Sequence, residues 1–214
     1  MKSVLIIGAG QFGIHIAKRM GKMRCEIMAI DNSEERINAI LPYVTNAQIG
    51  DSTNADFVSS LGIPDYDVCI VTISDNFQNS LETTALLREL GARKIISRAQ
   101  NDVQEKFLLR NGADETVYPE KQTANRLAIK ESSDDILDVF QIDHDVNIYE
   151  VRMPKAWAGK TVAELDIRKK HHLNIIAVRT PEQLVVPMPD MVLLPEDDLL
   201  IIGNIKDVKK YFEI

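Results

Sequence analysis

Aromatic residues make up only 6% of this 214-residue chain, and cysteine occurs just twice. No apolar run approaches the ~20 residues of a membrane span. Each scarcity excludes something. Hydrophobic residues still reach 45%, so the apolar content is aliphatic, which suits the doubly buried strands of a parallel sheet. Cys25 and Cys69 sit in apolar, β-like runs and read as small buried hydrophobes rather than as a disulfide or metal ligands. The expected compartment is a reducing cytoplasm. The net charge is −7 and the basic residues are not clustered as phosphate neutralisation requires, so nucleic acid is not an expected partner. Met1-Lys2 leads straight into an apolar stretch, and no signal peptide is expected. A P-loop lysine motif is absent, so ATP hydrolysis is not encoded in that form. The length suits one ordinary domain plus a small one.

What the chain does have is Ser3-Val4-Leu5-Ile6-Ile7 followed by Gly8-Ala9-Gly10-Gln11-Phe12-Gly13. The aliphatic run predicts a strand buried on both faces, and G-x-G-x-x-G turns it into a helix over 14–23. Gly8 permits the tight turn and Gly10 removes the Cβ that would hold a pyrophosphate away. Gly13 lets the helix pack close to its strand, leaving backbone N–H groups aimed at an anion. A second strand over 26–30 ends in Asp31, 18 residues past Gly13, where a carboxylate can accept from both hydroxyls of an adenosine ribose. Asp31 and the adjacent Asn32 are therefore candidate contacts to an adenine nucleotide. The competing reading is a Rossmann-like unit that has lost its ligand.

The rest of the first 120 residues keeps the same alternation. Ser33 caps a helix over 33–41 that Pro42 stops, and a short strand at 47–49 delivers Gly50-Asp51-Ser52-Thr53 before a helix over 53–61. Asp51 and Ser52 are either contacts on the adenine side or ordinary turn and capping groups. A strand over 67–74 places Thr72 and Ser74 at its polar end, facing the glycine loop across the crevice. Helix 75–89, strand 94–97, helix 102–110 and strand 115–118 complete six strands. The predicted class is α/β, a Rossmann doubly wound parallel sheet over 1–120. A linker helix over 121–140, with a dimer surface on it, and a small α+β domain over 141–214 follow. Ala124, Leu127, Ala128, Ile136, Leu137 and Phe140 supply the apolar face of that linker, and Glu131, Asp134, Asp135, Asp138, Asp143 and Asp145 a solvated acidic face rather than a metal site. The C-terminal strands are expected at 148–153, 174–179, 184–186 and 199–202, with helices only at 161–166 and 206–212.

The glycine loop, Asp31, Gly50-Asp51-Ser52-Thr53, Arg98-Ala99-Gln100-Asn101, Gly112-Ala113-Asp114, Pro119-Glu120 and the stretch from Leu165 to Val178 together resemble the RCK (regulator of potassium conductance) family. The likeness is to the cytosolic regulatory subunits of bacterial Trk and Ktr potassium uptake systems, and it covers essentially the whole chain. It implies a homo-oligomer, a dimer assembling to an octameric ring. That ring sits at the inner face of the cell membrane on a separate potassium-translocating subunit and responds to ATP, ADP or NAD(H). By the same resemblance the glycine loop holds phosphates, Asp31 the ribose and Asp51-Ser52 the adenine side. Arg98 lies near the phosphates, and Glu120 takes part in a cation site beside them at a subunit interface. On residue chemistry alone Arg98 reads as a surface charge and Glu120 as a first-turn carboxylate favoured by the helix dipole. Gln11 stands where Ktr-like members carry an arginine and matches Trk-like ones, which weakens discrimination between ATP and ADP. Ile167, Arg168, Asn174, Ile175 and Pro187 resemble the residues that bind cyclic di-AMP in some Ktr-type regulators; without the resemblance the isoleucines read as core and Arg168 as surface. The alternative function is an NAD-dependent oxidoreductase with a small substrate domain, for which His171, His172, Arg168 and Arg179 offer no recognisable constellation.

Overall fold

A computed structural model describes residues 1–143 and 145–212 and divides the chain into two units, Met1–Lys121 and Gln122–Ile214. In the first unit β1 (Ser3–Ile7) sends Val4 and Ile6 into one core and Leu5 and Ile7 into another, all four at most 1% exposed. Burial on both faces is why this strand is an unbroken aliphatic run without alternation. The chain continues through α1 (Gln11–Gly21), β2 (Glu26–Asp31), α2 (Glu34–Ile40), β3 (Asn46–Ile49), α3 (Ala55–Ser59) and β4 (Val68–Val71). Then come α4 (Phe77–Glu89), β5 (Ile95–Arg98), α5 (Asp102–Arg110) and β6 (Glu115–Val117). The six strands are parallel in the order β3-β2-β1-β4-β5-β6, the expected doubly wound sheet. Its order reverses between β1 and β4, and a crevice opens there at the carboxyl ends of the strands.

Side-chain caps set the helix starts. Ser33, Asn54, Asn76 and Asn101 each accept a hydrogen bond from the backbone N–H three residues on, satisfying donors that the first turn leaves unpaired. Two of these caps move helices predicted from Thr53 and Asp75 to later starts at Ala55 and Phe77. Asn76 also leaves residues 72–76 outside both β4 and α4, so that Thr72 and Ser74 lie in the connecting loop rather than on the strand.

The second unit holds an antiparallel sheet. After α6 (Pro119–Glu131) come β7 (Ile136–Gln141), β8 (Val146–Arg152), α7 (Val162–Leu165), α8 (Ile167–His171), β9 (Asn174–Arg179), β10 (Leu184–Val185), β11 (Asp198–Asn204) and α9 (Ile205–Val208). The sheet order is β10-β9-β11-β8-β7, over a core that includes Val139, Tyr149, Val151, Trp157, Leu199, Ile201 and Phe212. A capping box of Thr161 and Glu164 opens α7. Asp166 and His172, both at positive φ, bracket α8, a helix that the sequence pattern did not predict.

The long linker helix over 121–140 is corrected. The helix ends at Glu131, where Ser132 Oγ donates back to the Ile129 carbonyl at 2.8 Å and Ser133 Oγ accepts from the Asp135 N–H. Hydroxyls that compete for backbone groups in this way terminate helices. Ile136 to Gln141 is instead a strand paired with β8, with a bulge between Ile136 and Asp138. The bulge brings Ile136 and Val139, three residues apart, into the same core, a spacing that imitates a helix. The acidic residues around it therefore do not form one helix face. Arg126 donates from Nε to Asp138 Oδ1 at 2.8 Å and this hydrogen bond holds the Asp138 carboxyl below the usual carboxylate range. No helix among the described residues is long and apolar enough to cross a membrane.

Candidate functional site

The three glycines of the first loop have different local jobs. Gly8 has φ +103° and its missing Cβ would lie 2.9 Å from Thr72 Oγ1, while a Cβ on Gly13 would lie 2.3 Å from the Gly8 carbonyl oxygen. Both are required by the loop's own backbone, Gly13 through its contact with the turn as well as through helix packing. A Cβ on Gly10 would meet nothing within 4 Å. The protein leaves that space open. Gly10 is also the N-cap of α1, and no side chain caps the helix; the first bond across it is Ile14 N–H to the Gly10 carbonyl at 3.0 Å. The N–H groups of Gln11, Phe12 and Gly13 are thus the unpaired donors of a helix start, which favours an anion.

Thr72 supports this loop directly. Its Oγ1 donates to the Gly8 carbonyl at 2.6 Å and lies 3.2 Å from that of Ile7, and the residue is buried. The hydroxyl predicted to face a ligand is a strut for the turn.

Asp31 closes the other side. Only 6% exposed, its carboxylate accepts from the Ala9 N–H at 2.7 Å through Oδ2 and from the Ser33 N–H at 2.9 Å through Oδ1. One residue therefore fixes the glycine loop and the start of α2 while keeping lone pairs for a hydroxyl donor, since each carboxylate oxygen accepts more than one bond. A cavity of about 300 Å³ lies between these parts, lined by Gly8, Gly10, Asp31, Asn32, Asp51, Ser52, Thr72 and Ser74 among the predicted residues. Gly50, Arg36, Asp75, Asn76 and Asn79 also line it. The signal for Arg36 was its place in the first turn of the helix that leaves Asp31, and for Asp75 its place directly after Ser74. Arg36 donates to Asp75 Oδ2 at 2.9 Å and lies 3.7 Å from Asp31 Oδ2.

Asp51 and Ser52 line the cavity with committed side chains. Asp51 accepts from the Thr53 N–H at 2.9 Å and the Thr53 hydroxyl at 2.8 Å, which keep its carboxyl below the usual range. Ser52 Oγ shares a 2.8 Å hydrogen bond with Thr83 Oγ1 of α4. Their carbonyls are engaged as well, that of Ser52 by the Thr83 hydroxyl at 3.3 Å and that of Asp51 by the Asn54 N–H at 3.1 Å.

Gln11, Phe12, Arg98 and Glu120 do not line the cavity. The Arg98 guanidinium sits 5.2 Å from the Phe12 ring centroid and donates to Glu120 Oε1, while its buried Nε has no hydrogen-bond partner. Desolvation pushes the Glu120 carboxyl up, but its own backbone N–H and Arg98 outweigh it and hold it below the usual range. A cation at Glu120 would have to compete with that guanidinium. Among the described residues no group of three His, Cys, Asp or Glu is placed to hold a metal, so the residues of one chain do not fit a resident ion.

In the second unit, Ile167, Arg168, Asn174, Ile175 and Pro187 line one cavity of about 420 Å³. Arg168 donates to Asn174 Oδ1 at 2.9 Å across it. The groups considered for an oxidoreductase are engaged separately. His171 bonds through Nδ1 with the Tyr211 hydroxyl and stacks on Trp157, and Arg179 donates to Glu150. Cys69 is buried, and burial pushes its thiol up to about 12, which makes it inert.

The comparisons with known proteins agree with this architecture. The TrkA-N domain model matches residues 4–119 and the TrkA-C domain model residues 148–214. The chain is 36% identical over 211 residues to the Ktr system potassium uptake protein C of Bacillus subtilis, a match that covers 98% of this chain and 96% of that protein. Among solved structures, the crystal structure of the GsuK RCK domain superposes with a TM-score of 0.70 at 18% identity, covering all of this chain and 48% of the other. A structure of the GsuK channel bound to NAD gives the same TM-score at 18% identity, covering 98% of this chain and 39% of the other. The chain thus spans about half or less of these two solved chains and nearly the full length of this curated relative. Two domain models matched in order, with 36% identity over almost the whole length, mean that this chain belongs to the TrkA-N/TrkA-C family that includes the Ktr system potassium uptake proteins.

Proposed function

We propose that the chain is a non-catalytic regulatory subunit of a potassium uptake system. It binds an adenine nucleotide in the crevice of its first unit and passes the state of that site to a separate membrane-embedded, potassium-translocating subunit at the inner face of the cell membrane. The observation that carries this reading is the open space at Gly10, placed between the uncapped start of α1 and the buried carboxylate of Asp31. That combination suits a phosphate at one end and a ribose diol at the other. The name of the Bacillus subtilis relative supports the potassium system, and the NAD bound to the GsuK channel supports a nucleotide in this fold. The site works through binding alone, because ligand occupancy shifts a protein only by binding two arrangements with different affinity. The test is calorimetry of the full chain with ATP, ADP and NAD(H), followed by chromatography of the recovered ligand. At least one should bind and be recovered unchanged; no binding, or conversion of the ligand, would overturn the reading.

The same proposal includes a homo-oligomer. In the second unit β7 is an edge strand, Phe140 on it and Ile142 just after it are exposed, and a groove of about 840 Å³ runs between α6 and β7. An open edge flanked by apolar side chains is a surface that a second copy can cover. The cavity around Arg168 and Asn174 is the proposed cyclic di-AMP site, its guanidinium suited to a phosphate and Ile167, Ile175 and Pro187 to adenine faces. Because a cyclic dinucleotide has two-fold symmetry, titration of the full-length oligomer should saturate at one ligand per two chains. No heat would remove this second ligand, and saturation at one per chain would remove its placement on a two-fold axis.

A further inference from the structure

Among the described residues, the cavity behind the glycine loop is lined by one cation, Arg36, and three carboxylates, Asp31, Asp51 and Asp75. That balance is unusual for a site read as accepting phosphates, and it makes the position of the one guanidinium decisive. Arg36 is not free. One terminal nitrogen donates to Asp75 Oδ2 at 2.9 Å, and the other lies 3.7 Å from Asp31 Oδ2. Asp31 ends β2 and Asp75 follows β4, the two strands on either side of β1, so the arginine bridges the two sides of the crevice.

Rossmann sites separate two kinds of adenosine by the charge met at the ribose. A carboxylate takes the free diol, whereas a nearby arginine accommodates a 2′-phosphate. Both elements are present in this chain, within 3.7 Å of each other, and they point to opposite selectivities. What decides between them is the third group. The geometry points to Asp75 as a specificity-determining residue: by holding Arg36 it withholds the only lining cation from a 2′-phosphate and keeps the crevice selective for an unphosphorylated adenosine ribose. This rests on the nucleotide reading of the crevice. Side-chain exposures of 45% for Arg36 and 59% for Asp75 leave the arginine room to swing toward the ribose once released. An ion pair this open contributes little to folding, so variants at either end should fold.

The test uses two ligands that differ only in the group at issue, 5′-AMP, the part shared by ATP, ADP and NAD(H), and adenosine 2′,5′-bisphosphate. Each is titrated by calorimetry into the full chain at fixed ionic strength, as wild type, Asp75→Asn, Arg36→Gln and the double variant. Wild type should bind 5′-AMP in clear preference to the bisphosphate. Asp75→Asn should shift the ratio of bisphosphate to 5′-AMP affinity about ten-fold toward the bisphosphate, the scale of one new charge-assisted phosphate contact. Removing a negative charge could by itself favour a more anionic ligand, so the comparison that decides is the same substitution made without the arginine. In the Arg36→Gln background the gain should fall to about two-fold or less. An unchanged ligand preference in Asp75→Asn, or an equal gain with and without Arg36, would overturn the inference while leaving the nucleotide site intact. Failure of wild type to bind 5′-AMP, ADP, ATP or NAD(H) would instead overturn the nucleotide reading, and the inference with it.

Discussion

Replacing Gly10 by valine should leave the fold intact and weaken adenine-nucleotide binding by at least about 100-fold, or about 2.8 kcal/mol. The two halves of that expectation come from the same open space. A Cβ at position 10 meets no atom within 4 Å beyond its chain neighbours, so a side chain there starts in open space rather than against the fold. The space it enters borders the cavity and the unpaired N–H groups that open α1, and an isopropyl group there holds a phosphate away from its donors. Gly13→Ala is the opposite case. Its Cβ would stand 2.3 Å from the Gly8 carbonyl, a backbone atom that cannot rotate aside, and overpacking of this kind costs about 1–3 kcal/mol. Urea unfolding should therefore separate the pair, with Gly10→Val at wild-type stability and Gly13→Ala well below it, while calorimetry shows a loss of nucleotide in both. Wild-type affinity in Gly10→Val, or wild-type stability in Gly13→Ala, would contradict these roles.

Asp31→Ala should lose both nucleotide and stability. The buried carboxylate accepts from Ala9 and Ser33, and leaving two backbone donors unpaired costs about 2–4 kcal/mol. Asp31→Asn separates the effects. An asparagine has one amide oxygen for the two N–H groups, and its amide nitrogen faces the other as a second donor, so one of the two anchors is lost and one kept. The asparagine variant should lie between wild type and alanine in thermal unfolding and still bind nucleotide far more weakly than wild type. Unfolding midpoints unchanged in both variants would deny the structural role; wild-type nucleotide affinity in the asparagine variant would deny the ribose role.

Much of the crevice was legible because local sequence carries it. The aliphatic run from Val4 to Ile7, the glycine spacing and a strand ending in Asp31 each follow from the backbone conformation they demand, and the strand order follows from their alternation with helices. What sequence could not show are the partners of polar side chains brought together over distance. Ser52 finds Thr83 across 31 residues, Thr72 finds Gly8 across 64, and Asp31 anchors Ala9 across 22. In each case a residue read as facing a ligand is also, or instead, holding the loop that would meet it. Arg36 and Asp75 were missed for the same reason, since neither belongs to a recognisable motif and only the sheet order brings them to opposite sides of β1. The error over 121–140 has a different origin. The predicted face combined Ile136, Leu137 and Phe140 with residues of α6, but the helix stops at Ser132-Ser133 and those three lie on a bulged strand.

The central claim is that nucleotide in the first unit controls ion movement through another protein. Its most direct test is potassium flux into proteoliposomes that carry the membrane-embedded translocating subunit, with this chain added as wild type or as Gly10→Val, in the presence and absence of ADP, ATP and NAD(H). The account predicts that flux with wild-type chain changes with at least one nucleotide and that the same nucleotide has no effect with Gly10→Val. Flux that is indifferent to every nucleotide with wild-type chain, or that responds equally with the valine variant, would contradict it.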